Sequence, residues 1–221
     1  MSQAGPQSMA SRSIGEIAAC LPGATAVFRR HKLDFCCGGA ESLEQAARHK
    51  GLDPAPIEAE LASLSSDPNT VPESVEDLIQ LILERYHQVH RREMPELRAL
   101  AQHVEHVHAD NPSVPKGLSD LLARMHGEME SHMQKEEQIL FPMMLAGGNP
   151  MIVHPIGMMR YEHDSHGEEL AALAKLTGDL TLPAEACNTW RALYAGLAKL
   201  AEDLTEHIHI ENNVLFPKFE A

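Results

Sequence analysis

The sequence predicts an all-α protein, and three observations support this fold class. Aromatic residues make up only 4% of the 221 residues, whereas 43% are hydrophobic, mainly Leu, Ala, Ile, Val and Met. This composition suits helix-on-helix packing better than a β-sandwich or barrel. Four long segments have helical periodicity, and breaks rich in proline and glycine separate them. The segments are residues 74–109, 115–145, 155–177 and 183–219. Short connections favour antiparallel neighbours, so we expect an up-down-up-down four-helix bundle.

A smaller helical domain is expected before the bundle. Residues 14–30 have helical periodicity with an interruption at Pro22-Gly23, and residues 54–64 predict another short helix. Between them, Ser42 followed by Gln45 resembles a capping box for a helix over 43–49. The turn-forming stretch 65–72 is the best boundary. We therefore predict a small helical domain over 1–66 and the bundle over 73–221.

Within the bundle, two segments repeat the pattern H-x-x-x-E, then any two residues, an aliphatic residue and Leu-Phe-Pro. One begins at His132 and the other, 75 residues later, at His207. A further matched histidine precedes each copy: His87 lies 45 residues before His132, and His163 lies 44 residues before His207. Chance accounts for a single H-x-x-x-E match, but not for the duplication of the whole pattern.

The repeated residue types are those that bind metals. Residues i and i+4 share a helix face, so each imidazole points the same way as the carboxylate one turn later. Four histidines and two glutamates at one level of a bundle resemble the inward-facing ligand sets of carboxylate-bridged di-metal proteins. We predict two metal ions, with open coordination positions that indicate a functional rather than a structural site. The predicted ligands are His87, His132, Glu136, His163, His207 and Glu211.

Other polar residues near these ligands are weaker candidates. Glu128 lies four residues before His132, and Glu162 adjoins His163. They are predicted either to orient imidazoles and relay protons, or to be solvated charges. His90 and His166 each lie three residues beyond a predicted ligand and are less favoured as ligands. The donor set itself suits Fe, Mn or Zn.

The four cysteines do not form a spaced disulfide framework. Cys36 and Cys37 are adjacent and precede two glycines, which predicts flexible thiols able to reach a partner or a redox centre. Packing of one thiol as a small hydrophobe is the alternative. Cys20 and Cys187 lack such a context and are expected in the core.

The charge balance excludes some partners. A formal net charge of −14 disfavours binding to nucleic acid or to an anionic membrane. The first residues contain no apolar signal-peptide region, and no run approaches the roughly 18 apolar residues of a membrane span. A cytoplasmic location is therefore expected.

Several of these segments together resemble the RIC (repair of iron centres) family of hemerythrin-like proteins. The resemblance covers nearly the whole chain, with a double-cysteine domain followed by a bundle, and it matches all six predicted ligands and the Cys36-Cys37 pair. The segments that carry it are Asp34-Phe-Cys-Cys-Gly-Gly39, residues 107–118, residues 131–142 and Glu211-Asn-Asn-Val-Leu-Phe-Pro217.

The resemblance implies two non-haem irons, an oxo bridge and bridging Glu136 and Glu211. It also implies repair of iron–sulfur clusters damaged by nitrosative or oxidative stress, through nitric oxide handling or iron donation, with Cys36 and Cys37 assisting. Two alternatives remain open: a nitric oxide reductase that forms nitrous oxide, with Glu128 or Glu162 supplying protons, and a hemerythrin-like carrier or sensor of O2 or NO. Expected partners are NO or another diatomic, damaged iron–sulfur proteins and an unidentified electron donor. The sequence leaves a homodimer open.

Overall fold

The computed structural model describes residues 9–21, 23–64 and 71–220, and this part of the chain is helical, as the sequence predicted. The chain divides into two compact units. The first comprises Met1–Leu78 together with Ile208–Ala221, and the second comprises Ile79–His207. The predicted domain limits of 1–66 and 73–221 remain predictions. The stretch 65–70 within the predicted boundary lies outside the described residues.

Four short helices lie within residues 9–64 of the first unit, apart from the undescribed residue 22: α1 (Ile14–Cys20), α2 (Ala24–Arg30), α3 (Leu43–His49) and α4 (Pro54–Ala62). The capping box predicted for α3 is present: Ser42 Oγ accepts from the Gln45 N–H at 3.2 Å, and Gln45 Oε1 accepts from the Ser42 N–H at 3.2 Å. Gly23, with a φ of 87°, precedes α2. A shared apolar core includes Ile17, Phe28, Phe35, Leu43 and Leu61.

Four long helical segments make up the bundle. The first runs from α5 (Val75–Leu81) through a π-helical stretch (Ile82–His87) into α6 (Gln88–Val107). The second runs from α7 (Leu118–Lys135) through Glu136–Leu140 into α8 (Phe141–Leu145), and the third is α9 (Val153–Thr177). The fourth is α10 (Asn188–Ile210), which continues through Glu211–Leu215. The predicted start at Pro183 was wrong by five residues, because residues 183–187 form a turn before α10.

Three of the four long segments widen into a π-helix where a predicted ligand lies. In two of them the backbone N–H of a phenylalanine reaches back five residues: Phe141 donates to Glu136 O, and Phe216 donates to Glu211 O. Each phenylalanine precedes a proline. Proline lacks an N–H and its ring collides with the carbonyl four residues earlier, so the repeated Leu-Phe-Pro favours a wider turn. The widened turns begin at the two predicted bridging glutamates.

A helix that crosses a bilayer needs about 20 mostly apolar residues. Among the helices of the described ranges, none is both long enough and apolar enough to do so.

Candidate metal centre

The structure brings the six predicted ligands together in two groups inside the bundle. One group contains His87 and His207, and the other contains His132 and His163; Glu136 belongs to both. Glu211 also belongs to both, one turn beyond His207 on the same continuous helix. The potential ligand atoms of each group lie within 4.8 Å of one another. All six residues are at most 2% exposed, so no bulk water competes for these donors.

Glu136 lies between the two pairs of histidines. Its Oε2 is 3.3 Å from His87 Nε2, and its Oε1 is 3.3 Å from His132 Nε2. Each oxygen therefore faces a different group, as in a carboxylate that bridges two ions. The histidines of each group are also paired, with Nε2–Nε2 distances of 3.3 Å for His87–His207 and 3.2 Å for His132–His163.

These separations fit metal coordination. Two ligands that each lie about 2.1 Å from one ion, at angles between a right angle and the tetrahedral angle, are about 3.0–3.4 Å apart. The donor set of neutral imidazoles and carboxylates suits iron, manganese or zinc. Burial, followed by the neighbouring His87, pushes the pKa of His207 well below its usual value, which favours the neutral imidazole that binds metals. The site therefore fits a pair of divalent ions.

An outer carboxylate orients His87. Glu137 Oε1 lies 2.8 Å from His87 Nδ1 and 2.7 Å from a guanidinium nitrogen of Arg91. Arg91 is in turn fixed by Glu130, with a Nε–Oε2 distance of 2.8 Å. Because a carboxylate accepts the Nδ1–H, the Nε2 lone pair of His87 is left facing the interior. Glu137 was not among the predicted site residues, because it adjoins a predicted ligand but has no counterpart in the second copy of the repeat.

A second outer carboxylate orients His132. Glu162 Oε2 lies 2.9 Å from His132 Nδ1, and its other oxygen binds the Lys135 ammonium. The hydrogen bond from His132, with help from Lys135, lowers the pKa of Glu162 to about 2 despite its partial burial. The carboxylate is therefore ionised at neutral pH and acts as an acceptor. The contact is to His132 on α7 rather than to His163, its neighbour in the sequence.

Glu128 lies apart from these contacts. It is exposed and lines a cavity of about 290 Å³ between α7 and α9, whose walls also include Lys135, Glu162 and His166. Ser131 and Ser165 complete the polar part of the lining. Glu128 therefore shares a cavity with the carboxylate that orients His132.

His90 and His166 lie beside the ligand rings without joining either group. The His90 ring centroid is 5.6 Å from that of His207, and the His166 centroid is 5.2 Å from that of His132. Both residues are buried. Burial and the nearby His207 lower the pKa of His90 to about 3, so this ring is neutral. His90 and His166 therefore pack against the rings of two predicted metal ligands, His207 and His132.

The Cys36-Cys37 pair lies in the first unit, half-buried and not joined by a disulfide. The two Sγ atoms are 3.8 Å apart, and the Cys36 thiol lies 3.1 Å from Asp34 Oδ1. The hydrogen bond to Cys37, burial and the Asp34 carboxylate raise the pKa of Cys36 far above its usual value. The Cys36 thiol therefore keeps its proton at neutral pH.

The end of the fourth long segment fixes the loop that carries these thiols. Asn213 Nδ2 lies 3.2 Å from Phe35 O and 3.1 Å from Cys36 O, and Asn212 Nδ2 lies 3.2 Å from Cys36 O. A Cβ on Gly39 would be 2.5 Å from Asn213 Oδ1, so only glycine permits this close approach. These hydrogen bonds and the close approach at Gly39 hold the loop in one shape. The Gly-Gly sequence had suggested a flexible loop instead.

Cys20 and Cys187 were wrongly expected in the core, since Cys20 is exposed and Cys187 is half-buried. Cys187 immediately precedes α10, and its Sγ lies 3.2 Å from His108 Nε2. The backbone N–H of Trp190 and the His108 ring lower the pKa of this thiol to about 7. The late start of α10 creates this position.

We expect the alkylation rate of Cys187 by iodoacetamide to rise with pH to a midpoint near 7, because the thiolate is the reactive form and it predominates above the pKa. His108→Ala should shift the midpoint upward, because the thiolate loses a hydrogen-bond donor. The full-length protein is alkylated and then digested, and mass spectrometry of its peptides measures the rate, with exposed Cys20 as the internal reference. A midpoint unchanged by His108→Ala would contradict the assigned contact.

Two known domain families match different parts of this chain. Residues 78–219 match the hemerythrin HHE cation-binding domain, and residues 10–65 match a domain of unknown function, DUF542, also called ScdA_N. A protein of Musicola paradisiaca named iron–sulfur cluster repair protein YtfE is 47% identical over 211 residues, which are 94% of this chain and 95% of the relative.

Two further relatives have the same name. That of Citrobacter koseri is 47% identical over 216 residues, covering 96% of this chain and 97% of its own. That of Escherichia coli strain UMN026 is 48% identical over 210 residues, covering 93% and 94%. The helical bundle and its buried histidine–glutamate cluster define a hemerythrin-like cation-binding protein. Identity at this level over almost the full length then gives the family: the chain belongs to the iron–sulfur cluster repair proteins.

Proposed function

We propose that this protein restores iron–sulfur clusters damaged by nitrosative or oxidative stress, by means of two non-haem irons bound in the bundle. The observation that carries the proposal is the placement of Glu136, with one oxygen toward each histidine pair. The names of the full-length relatives support the same function. Damaged iron–sulfur proteins are then its targets.

In this proposal one iron is held by His87 and His207 and the other by His132 and His163. Glu136 and Glu211 would be shared between the two irons. When bound, the irons would supply one of two things: a redox-active centre that binds a diatomic such as nitric oxide, or iron that is delivered to a damaged cluster. Two histidines and two shared carboxylates per ion leave coordination positions open, as binding or release requires.

The surrounding side chains have separate roles in the proposal. Glu137 and Glu162 fix the rings of His87 and His132 and keep their Nε2 lone pairs directed inward. Glu128, with Lys135, provides the polar wall of the cavity next to Glu162 and supplies protons from the solvent side. Cys36 and Cys37, in the first unit, assist the repair.

The first experiment measures repair directly. A [4Fe–4S] dehydratase inactivated by nitric oxide is incubated anaerobically with the iron-loaded protein and a reductant, and recovery of its activity is followed together with iron per chain. We expect two irons per chain in the bundle, and faster recovery than with the metal-free protein plus the same free ferrous iron. Equal recovery in both samples would contradict the proposal.

Gas analysis of the same reaction separates repair from the alternatives that the sequence left open. Repeated release of nitrous oxide would assign a reductase. That reaction converts two nitric oxide molecules, two electrons and two protons into one nitrous oxide and one water. Reversible uptake of O2 or NO without cluster recovery would assign a carrier or sensor. Iron transfer to the client without nitrous oxide supports donation.

A further inference from the structure

We propose that Asp34, Cys36 and Cys37 form a second metal site, which binds one divalent ion through two thiolates and a carboxylate. These residues lie in the first unit, and the described part of that unit contains no other group of three possible metal ligands. The assignment of ferrous iron in transit as its cargo rests on the proposed function. The existence of the site does not depend on it.

The distances carry the inference. In a tetrahedral site with metal–sulfur bonds of about 2.3 Å, two sulfurs are separated by about 3.8 Å. The Sγ atoms of Cys36 and Cys37 are 3.8 Å apart. Asp34 Oδ1 lies 3.1 Å from Cys36 Sγ, and the ligand atoms of all three residues are within 4.8 Å of one another. One ion can therefore reach all three donors without a change of backbone.

The backbone of the loop is already fixed in this arrangement. Asp34 Oδ1 accepts the Cys37 N–H at 3.0 Å, which holds the carboxylate beside the thiols. Asn212 and Asn213 bind the carbonyls on the other side of the loop. A site whose donors are held in place before the ion arrives loses little conformational entropy on binding.

The chemistry of the donors selects the type of ion. Thiolates with a carboxylate suit borderline ions such as Fe(II), Co(II) and Zn(II) better than Mg(II) or Ca(II). Binding replaces the thiol protons of Cys36 and Cys37 by the metal, so two protons are released per ion and no oxidant is required. Three protein ligands leave the fourth position for a sulfur ligand of a client, and the half-buried thiols beside exposed Asp34 permit such access.

The residues that hold the thiol loop lie next to a predicted ligand of the bundle in the sequence. Asn212 and Asn213 directly follow Glu211, and they belong to the same widened turn. The segment that carries a proposed bridging ligand therefore also carries the side chains that hold the thiol loop. This arrangement suits a protein that passes iron from one site to the other.

Cobalt(II) tests the site because thiolate coordination produces a charge-transfer band in the near ultraviolet. The reduced full-length protein is titrated anaerobically with CoCl2. We expect two equivalents without the thiolate band, bound by histidine and glutamate, and one further equivalent with it. Cys36→Ser and Cys37→Ser should each greatly weaken the band, and Asp34→Asn should lower the affinity by at least about tenfold, the loss that removal of an outer partner alone can cause.

Matched variants exclude non-specific binding and misfolding. Cys20→Ser removes an exposed thiol outside the site and should leave the band unchanged. Retention of the other two cobalt ions shows that each variant folds. Asn213→Ala should weaken the thiolate-bound ion, whereas the exposed Asn188→Ala should not.

The possible outcomes separate this inference from the proposed function. Absence of the thiolate band in the parent protein, or its persistence in both cysteine variants, would overturn the second site even if two ions bind in the bundle. A band that survives in Glu136→Ala supports a site independent of the bundle. Iron transfer to an apo-ferredoxin that is unchanged by Cys36→Ser would overturn the role in transit.

Discussion

Glu136→Ala is expected to prevent binding of both proposed irons in the bundle, because this side chain offers one oxygen to each pair of histidines. Measured in a Cys36→Ser background, which lacks the proposed thiolate site, iron per chain should fall from about two to well below one, since each ion loses a shared anionic ligand. Iron analysis of the protein after anaerobic loading measures the loss. The metal-dependent stabilisation, about 2.7 kcal/mol for each ion at a free iron concentration of 100 times its Kd, should disappear with it.

The metal-free form of the same variant gives an independent check of the cause. Glu136 is fully buried between imidazoles, so its removal relieves the desolvation of a carboxylate while leaving a small void. We therefore expect the metal-free variant to unfold at a temperature close to that of the metal-free parent. A large loss of stability without metal would show that Glu136 supports the fold rather than the ions.

Glu136→Gln sharpens the test, because it preserves the size of the side chain. The amide replaces one oxygen by an NH2 group that cannot bind a metal, so at least one of the two positions should be lost. Glu96→Ala, at an exposed position of α6, is the matched control and should retain both ions. Full loading of Glu136→Gln would contradict the bridging arrangement.

The helical fold could be predicted from the sequence because it rests on periodicity, and the same periodicity is the basis of the predicted ligand set. The duplicated H-x-x-x-E pattern places each histidine and glutamate on one helix face, and the alternation of helices brings the faces together. The helix cap at Ser42 could also be predicted from the sequence, and its capping box is present. These features depend on residues a few positions apart in the chain.

The outer partners were harder to predict because the repeat does not include them. Glu137 follows Glu136, but the corresponding position in the second copy is Asn212, which binds the Cys36 carbonyl instead. Glu162 precedes His163 in the sequence yet contacts His132 on another helix. Such contacts depend on side-chain direction and helix crossing, and sequence spacing does not determine either.

The cysteines were also placed wrongly because their contacts are with residues distant in the sequence. Gly38 and Gly39 suggested flexibility, whereas the structure uses Gly39 to admit Asn213 at a distance that no Cβ permits. Cys187 was assigned to the core because no nearby motif marked it. Its partner, His108, lies 79 positions earlier and meets it only through the folding of the bundle.

The two outer carboxylates lead to a prediction that distinguishes the two metal positions. Glu137→Ala should weaken mainly the ion at His87 and His207, and Glu162→Ala mainly the ion at His132 and His163. Loss of such a partner typically lowers metal affinity by about 10–100-fold, or about 1.4–2.7 kcal/mol. Calorimetric titration of the metal-free protein with Zn(II) should show one weakened step in each variant and two in the double variant.

The position of the weakened step can be assigned from the imidazole nitrogens. NMR spectra of ring-labelled histidine in the Zn(II)-loaded protein should show disturbance of His87 and His207 in the first variant and of His132 and His163 in the second. Misfolding is not expected to interfere, since Arg91 keeps its ion pair with Glu130 and the half-exposed Lys135 returns to water. Equal weakening of both positions in either variant would contradict separate orientation of the two rings. Selective weakening would instead show that a different carboxylate orients one imidazole of each pair.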